Sequence, residues 1–215
     1  MPAGRLSCLQ ARGAACAGFS LVELMVGVSI LAVLLALALP SFSDWVRNNQ
    51  VRMTAESLRE GLQLARSEAI RRNTRVRLQL VNALDSTCAL STAGPYWVMN
   101  AGASVTPAGN CGAAVSQTVS PFVIQSSPVT SAIGKATVAA SGGVAVVAFD
   151  AAGRQAPTTN PTTPVNLFRV DISSPAGTCL PGGNVRCLRV VVTANGEVRM
   201  CDPAQTAATD PARCY

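Results

Sequence analysis

The sequence contains no histidine. That removes the side chain most often used as a general base near neutral pH, and with it Ser-His-Asp and Cys-His nucleophile systems and most zinc sites. Lysine occurs once, at Lys135, and no glycine-rich phosphate loop leads into it, so no nucleotide or other cofactor site is expected. Charge is scarce as well: Asp, Glu, Lys and Arg make up 13% of the 215 residues, hydrophobic residues 49%, and aromatic residues only 4%. Low charge with a mean hydropathy of +0.32 excludes intrinsic disorder, which needs the opposite balance. The apolar fraction must be buried in a core or in a membrane, and the length suits one domain of moderate size. An enzyme is the least supported class. Asp150 and Asp171 are acids in strand-rich context, nothing in the sequence pairs them, and they read as turn and strand-edge polarity.

What is present first is a long apolar run. Phe19 to Leu39 reads FSLVELMVGVSILAVLLALAL, 21 residues whose only charge is Glu23. Such a run can cross a bilayer core of about 30 Å. Residues 1–18 carry Arg5 and Arg12 and no acid, which keeps this leader in the cytoplasm and sends the bulk of the chain outward in a single pass. A secretory signal cut near Ala36-Leu37-Ala38 is the competing reading. Against it stands the run itself, longer than the roughly 7 to 15 residues of a signal core. Glu23 also counts against it, because a carboxylate costs about 2.5 to 3.5 kcal/mol at the centre of a spanning helix and less near its end.

Gly18-Phe19-Ser20-Leu21-Val22-Glu23 resembles the processing site of type IV pilins and type II secretion pseudopilins. The resemblance implies cleavage between Gly18 and Phe19 by a prepilin peptidase, N-methylation of Phe19, and assembly roles for Glu23 and for Pro40, which falls where pilins carry a helix-bending proline. The free amine on Phe19 would supply the positive charge that Glu23 lacks. In a filament that amine can belong to a neighbouring subunit, so that the ion pair sets axial register and relieves an unpaired carboxylate in an apolar bundle.

Further along, Ala65-Arg66-Ser67-Glu68-Ala69-Ile70-Arg71-Arg72-Asn73 and Val76-Arg77-Leu78 are similar to the GspH/FimT family of minor pilins and pseudopilins. So are Val147-Ala148-Phe149-Asp150-Ala151-Ala152-Gly153-Arg154 and Gly196-Glu197-Val198-Arg199-Met200-Cys201. This similarity implies a low-abundance structural subunit that primes or caps a type IV pilus or a type II secretion pseudopilus. The partners implied are other major and minor pilins or pseudopilins, the prepilin peptidase, an inner-membrane assembly platform and inner-membrane lipid. The location implied is the bacterial inner membrane, N-terminus cytoplasmic and head periplasmic, and then the filament tip.

After Pro40 the pattern turns amphipathic. Val51, Ala55, Leu58, Leu62, Ala65 and Ala69 recur at alternating steps of four and three, an apolar stripe on one helical face, while Arg52, Arg59 and Arg66 repeat on another. The pattern predicts one helix from Phe19 to about Arg72, ended by Asn73 and Thr74. Alternation then begins, with Val76, Leu78 and Leu80 set against Arg75 and Arg77, a first strand with one buried face. Further strands are predicted at 96–99, 122–125, 144–149, 167–172, 188–193 and 197–200, with a hairpin turn at Asn195-Gly196. Segments 101–120 and 126–143 read as surface loops. The fold expected is α+β and pilin-like, a long N-terminal helix packed on an antiparallel sheet. Its organisation is a cleaved leader at 1–18, the transmembrane half of the helix at 19–40, the amphipathic half at 41–73 and a disulfide-containing, β-rich head at 74–215.

Cys8 and Cys16 lie in the leader. The other six, Cys88, Cys111, Cys179, Cys187, Cys201 and Cys214, suit disulfides in an exported head. Several connectivities are open, and proximity along the chain favours Cys88 with Cys111, Cys179 with Cys187, and Cys201 with Cys214. Metal binding by these cysteines lacks a Cys-x-x-Cys and a His. The alternative function is DNA binding for uptake in natural transformation, because some FimT-type minor pilins carry a C-terminal Gly-Arg-x-Arg motif implicated in DNA contact. Here Gly196-Glu197-Val198-Arg199 puts an acid in place of the first Arg, leaving Arg186, Arg189 and Arg199 as the candidate contacts. Removing residues 1–18 takes two of the 17 basic residues, leaving 15 against 11 acids, or +4. Residues 42–77 hold eight Arg and four acids, while residues 78–215 hold seven basic and six acidic groups, so the excess lies on the helix. That excess reads as a solvated face or as a surface for DNA phosphates or acidic neighbours.

Overall fold

The computed structural model describes residues 20–102, 106–130, 132–157 and 167–214. The chain divides into two units, Met1–Ser41 and Phe42–Tyr215. Helix α1 covers Leu21–Arg72, 52 residues with Pro40 in its interior. It ends where Asn73 takes a left-handed φ of 48°, a conformation Asn tolerates because its short polar side chain bonds locally. The Thr74 N–H then donates to the Ala69 carbonyl and the Asn73 N–H to the Ile70 carbonyl, each at 3.2 Å. This is a Schellman closure that satisfies the last helical carbonyls.

In the second unit the stripe of Val51, Ala55, Leu58, Leu62, Ala65 and Ala69 is at most 3% exposed and forms one wall of the main core. Nine strands among the described residues face it: β1 (Val76–Val81), β2 (Tyr96–Ala101), β3 (Val123–Ser126), β4 (Thr137–Ala140), β5 (Val146–Phe149), β6 (Gln155–Ala156), β7 (Phe168–Ser173), β8 (Leu188–Val192) and β9 (Val198–Cys201). They form two antiparallel sheets rather than one, ordered β3-β2-β1-β5-β6 and β4-β7-β8-β9. Twist explains the division, since a single sheet of nine strands would rotate its outer members away from one helix. Two short sheets instead each present an apolar face to it. Leu78, Leu80, Val147 and Phe149 come from the first sheet, and Val170, Ile172, Val190 and Val192 from the second.

Two expectations change here. The first is β1, predicted to bury one face, which is buried along its whole length, including Arg77 at 4% and Gln79 at 0% exposure. Residues 82–95 and 106–122, on either side of β2, cover the far side of the first sheet, where Val81, Cys88, Val98, Cys111 and Val123 make a second small core. A buried polar layer lies beside it, with Gln79 Nε2 donating to Asn100 Oδ1 at 2.6 Å and Asn100 Nδ2 donating to the Pro121 carbonyl at 3.3 Å. The described residues 106–120 of the predicted loop are therefore partly a lid on the sheet, with Cys111 only 2% exposed. The second is β4, which lies inside the predicted loop 126–143. It pairs Val138 with Ile172 and Ala140 with Val170, and its single large apolar residue, Val138, left no alternation to see.

Candidate functional site

Gly18 and Phe19 lie outside the described residues. The first described turn is nonetheless built around Glu23. Ser20 Oγ accepts the Glu23 N–H at 3.2 Å, and the Leu24 N–H reaches the Ser20 carbonyl at 3.1 Å, so Ser20 is the N-cap and Glu23 stands at the third helical position. Ser-x-x-Glu is the spacing of a capping box, a signal present in the sequence that points to a second task for the carboxylate. An acid here also meets the positive end of the helix dipole, which favours a helix starting at this point.

Beyond Glu23 the helix surface is apolar as far as Leu37 except for Ser29, whose hydroxyl donates to the Val26 carbonyl at 2.8 Å. Its large side chains from Leu21 to Leu37 are between 52% and 74% exposed, and an 18-residue window of α1 reaches a mean hydropathy of 2.6. Among the described residues α1 is the one helix long and apolar enough to cross a membrane by length and composition. Apolar surface of that extent is stable only against lipid or other apolar helices. Pro40 lacks the N–H that would close a helical hydrogen bond.

In the head, three segments that drew attention separately in the sequence meet at one point. Arg66 Nε on α1 donates to the Gly153 carbonyl at 3.0 Å. Gly153 ends the turn after β5, where Asp150 Oδ1 accepts the N–H groups of Ala152 and Arg154, each at 2.9 Å. Burial pushes the Asp150 carboxyl up, but these backbone bonds and the Arg154 guanidinium outweigh it and hold it below its ordinary value. Against the same carbonyl packs Gly196 of the β8–β9 hairpin, at φ 76°. The Gln155 N–H donates to the Ala194 carbonyl at 3.1 Å and links the two sheets there.

The three arginines proposed for DNA do not form one open patch. Arg186 precedes β8 and bonds Asp202 Oδ2 at 2.7 Å, a carboxylate only 2% exposed. Arg189 on β8 holds Asp171 Oδ1 of β7 at 2.6 Å, and Arg199 on β9 faces Glu197 at 3.6 Å. Strand alternation places Arg189 and Arg199 on the sheet face away from Val190, Val192 and Met200, which turn toward the core. Arg186 lines a groove of about 400 Å³ on the helix side, with Trp45, Asn48, Arg52, Met200 and Ala212. Four arginines of α1 are likewise engaged, Arg47 with Asp44, Arg52 with Glu56, and Arg71 and Arg72 both with Glu68, while Arg59 is exposed. Arg77 is only 4% exposed and so offers no surface to a phosphate; burial foremost, and the charge of Arg75 after it, pull its guanidinium below its ordinary pKa.

The six head cysteines stand in three pairs. Cα separations are 6.1 Å for Cys88–Cys111, 5.4 Å for Cys179–Cys187 and 5.1 Å for Cys201–Cys214. The last closes the C-terminal tail onto β9, where the Asp202 N–H also donates to the Ala212 carbonyl at 2.7 Å.

A family model described as Type II transport protein GspH matches residues 54–196, and one described as prokaryotic N-terminal methylation motif matches residues 13–39. Among solved structures, similar chains include the type IV minor pilin FimU of Pseudomonas aeruginosa, at 18% identity over 80% of this chain and 99% of that one, with a TM-score of 0.44. Another is the minor pseudopilin EpsH from the Type 2 Secretion System of Vibrio cholerae, at 13% identity over 73% of this chain and 99% of that one, with a TM-score of 0.41. No curated protein matches the chain significantly.

Proposed function

Since the chain belongs to the GspH family, a structural subunit of the pilin and pseudopilin kind, we propose that it primes or caps assembly of a type IV pilus or a type II secretion pseudopilus. The observation that carries this reading is the single helix α1, apolar and uncovered from Leu21 to Leu37 and then, from Val51 to Ala69, a wall of the head's core. One element thus provides both a membrane stem and the attachment of a folded head. In this reading a prepilin peptidase removes residues 1–18, Phe19 becomes the methylated N-terminus, and residues 19–40 wait in the inner membrane with the head, residues 74–215, in the periplasm. The assembly platform then lifts the subunit, and the apolar stem exchanges lipid for neighbouring stems without covalent chemistry. Glu23, in the first turn of a helix capped by Ser20, receives the ammonium of a neighbour's Phe19, which sets register. The DNA-uptake reading gains no support, because Arg186, Arg189 and Arg199 each already face a carboxylate.

Intact-mass measurement of the membrane form tests the processing step. The expected chain begins at Phe19 and is one methyl heavier than its residue sum, whereas a start at Leu39 or an uncut Met1 would refute it. Deletion tests the assembly step: filaments should become few while the major subunit accumulates in the membrane. Unchanged filament number and length would remove the priming role.

A further inference from the structure

We infer that Phe42 and Trp45 form an aromatic anchor at the outer headgroup level of the bilayer, setting the depth at which the subunit waits before assembly. This rests on the membrane-anchored reading above. Charge supplies the first argument. After Glu23 the next charged residues are Asp44 and Arg47, so residues 24–43 are 20 consecutive uncharged positions, about the number a spanning helix requires. Arg47 Nη1 donates to Asp44 Oδ1 at 3.1 Å, and this pair stands where the run meets water. Phe42 and Trp45 flank Asp44 at that boundary.

Exposure supplies the second. Phe42 is 62% and Trp45 63% exposed, while Trp97, Phe149 and Phe168 are at most 4% exposed. Tyr96 and Phe122 are half-buried, so Phe42 and Trp45 are the most exposed rings among the described residues, and an apolar patch left this open favours a covering partner. The rings stack, with centroids 5.9 Å apart and planes at 28°, so the i, i+3 spacing makes them one patch on one side of the helix. An indole joins an apolar body to a single N–H donor, the combination that suits the layer between acyl chains and water. Asn48, Asn49 and Arg52, which line the groove beside Trp45, continue the polar side of that boundary. The Asn48 side chain is fixed to the head by accepting the Arg186 N–H at 2.6 Å. The aromatic pair therefore belongs to a stretch of α1 held by the folded head, and lipid contact at Trp45 would couple head height to membrane depth.

Trp45 is its own probe. The chain has two Trp, and the difference in emission between wild type and Trp45→Phe isolates Trp45 without disturbing buried Trp97, whose Nε1 donates to Ser57 Oγ at 3.2 Å. The full chain purified from membranes is reconstituted into phosphatidylethanolamine–phosphatidylglycerol vesicles containing phosphatidylcholine brominated either near the carbonyls or near the chain ends. Vesicle flotation is scored first. The expected result is a floating protein whose Trp45 emission lies at shorter wavelength than in urea and is quenched more by the shallow bromines than by the deep ones. A protein that floats but keeps water-like, unquenched Trp45 emission overturns the anchor and leaves the membrane reading standing. Stronger quenching from the chain ends overturns the headgroup placement. Emission unquenched in vesicles but shielded once subunits assemble assigns the pair to protein contact instead, which also overturns it. Failure to float overturns the anchor and the membrane reading together.

Discussion

Gly196 is a position where one added carbon has nowhere to go. Its φ is 76°, and a Cβ there would be driven into the carbonyl oxygen of Gly153, itself at φ 75° and backed by Ile70 and Arg66. Neither a left-handed backbone nor a backbone carbonyl yields cheaply, so Gly196→Ala should cost roughly 2 to 3 kcal/mol in urea unfolding of the oxidised protein. A loss of only a few tenths would mean that the two turns do not touch. Glu68 makes a different kind of point. The Arg71 hydrogen bond foremost, opposed by burial and then reinforced by the Arg72 bond and both guanidinium charges, holds its carboxyl below the ordinary range. A lowered folded pKa means that the stabilisation is complete above the unfolded value, about 4.3, and is lost as pH falls through the folded one. Glu68→Gln should therefore be less stable than wild type by about 1 kcal/mol at neutral pH, with the gap closing in acid. A gap that stays constant from neutral pH to about 3 would refute the link. Glu68 was legible, since arginines three and four residues later reach it within one turn of helix. The meeting of Gly153 with Gly196 was not, because no local pattern reports a contact between two separate turns.

Among the elements, β1 shows how a strand's far face gets covered. Val76, Leu78 and Leu80 face α1 as their alternation implied, but Arg77 and Gln79 are buried too because the following segment returns across the sheet. Cys88–Cys111 staples that return, at a sequence separation of 23. Replacing both cysteines by Ser should cost about 3 kcal/mol or more by the loop-closure argument. The helix–sheet core should survive, because Trp97 contacts α1 through Ser57 and Gly61 rather than through the lid. Urea titration followed by Trp97 emission separates the two outcomes: a lower midpoint with native emission in water is expected, and a native state with red-shifted Trp97 would show that the lid is integral to the core. The stripe on α1 and the Asn195-Gly196 hairpin could be read from the sequence because each is set by neighbours within a few residues. β4 could not, since Thr137–Ala140 becomes a strand by pairing with β7 and not through a pattern of its own.

For the molecule as a whole, the net charge of +6 in the full sequence overstates what a polyanion would meet. Arg47, Arg52, Arg71, Arg72, Arg186, Arg189 and Arg199 all face carboxylates, and Arg66 is spent on a backbone carbonyl. Affinity for DNA comes largely from cations that release condensed counterions, and paired cations release few. A mobility-shift titration with duplex DNA near 0.15 M salt, where screening acts over about 8 Å, should show no retarded band. A shift that weakens steeply as salt rises would restore the uptake reading. The membrane run, the carboxylate at Glu23, the Gly18-Phe19 junction and the apolar stripe were all available from residue order alone, because hydropathy and helical period are properties of adjacent residues. Folding decided the rest: two sheets in place of one, a lid over β1, an Asp202 that takes up Arg186, and two aromatic rings left exposed while Trp97, Phe149 and Phe168 are buried. Those outcomes depend on which distant segments come to share a surface, and twist, burial and charge pairing settle that only once the chain has closed on itself.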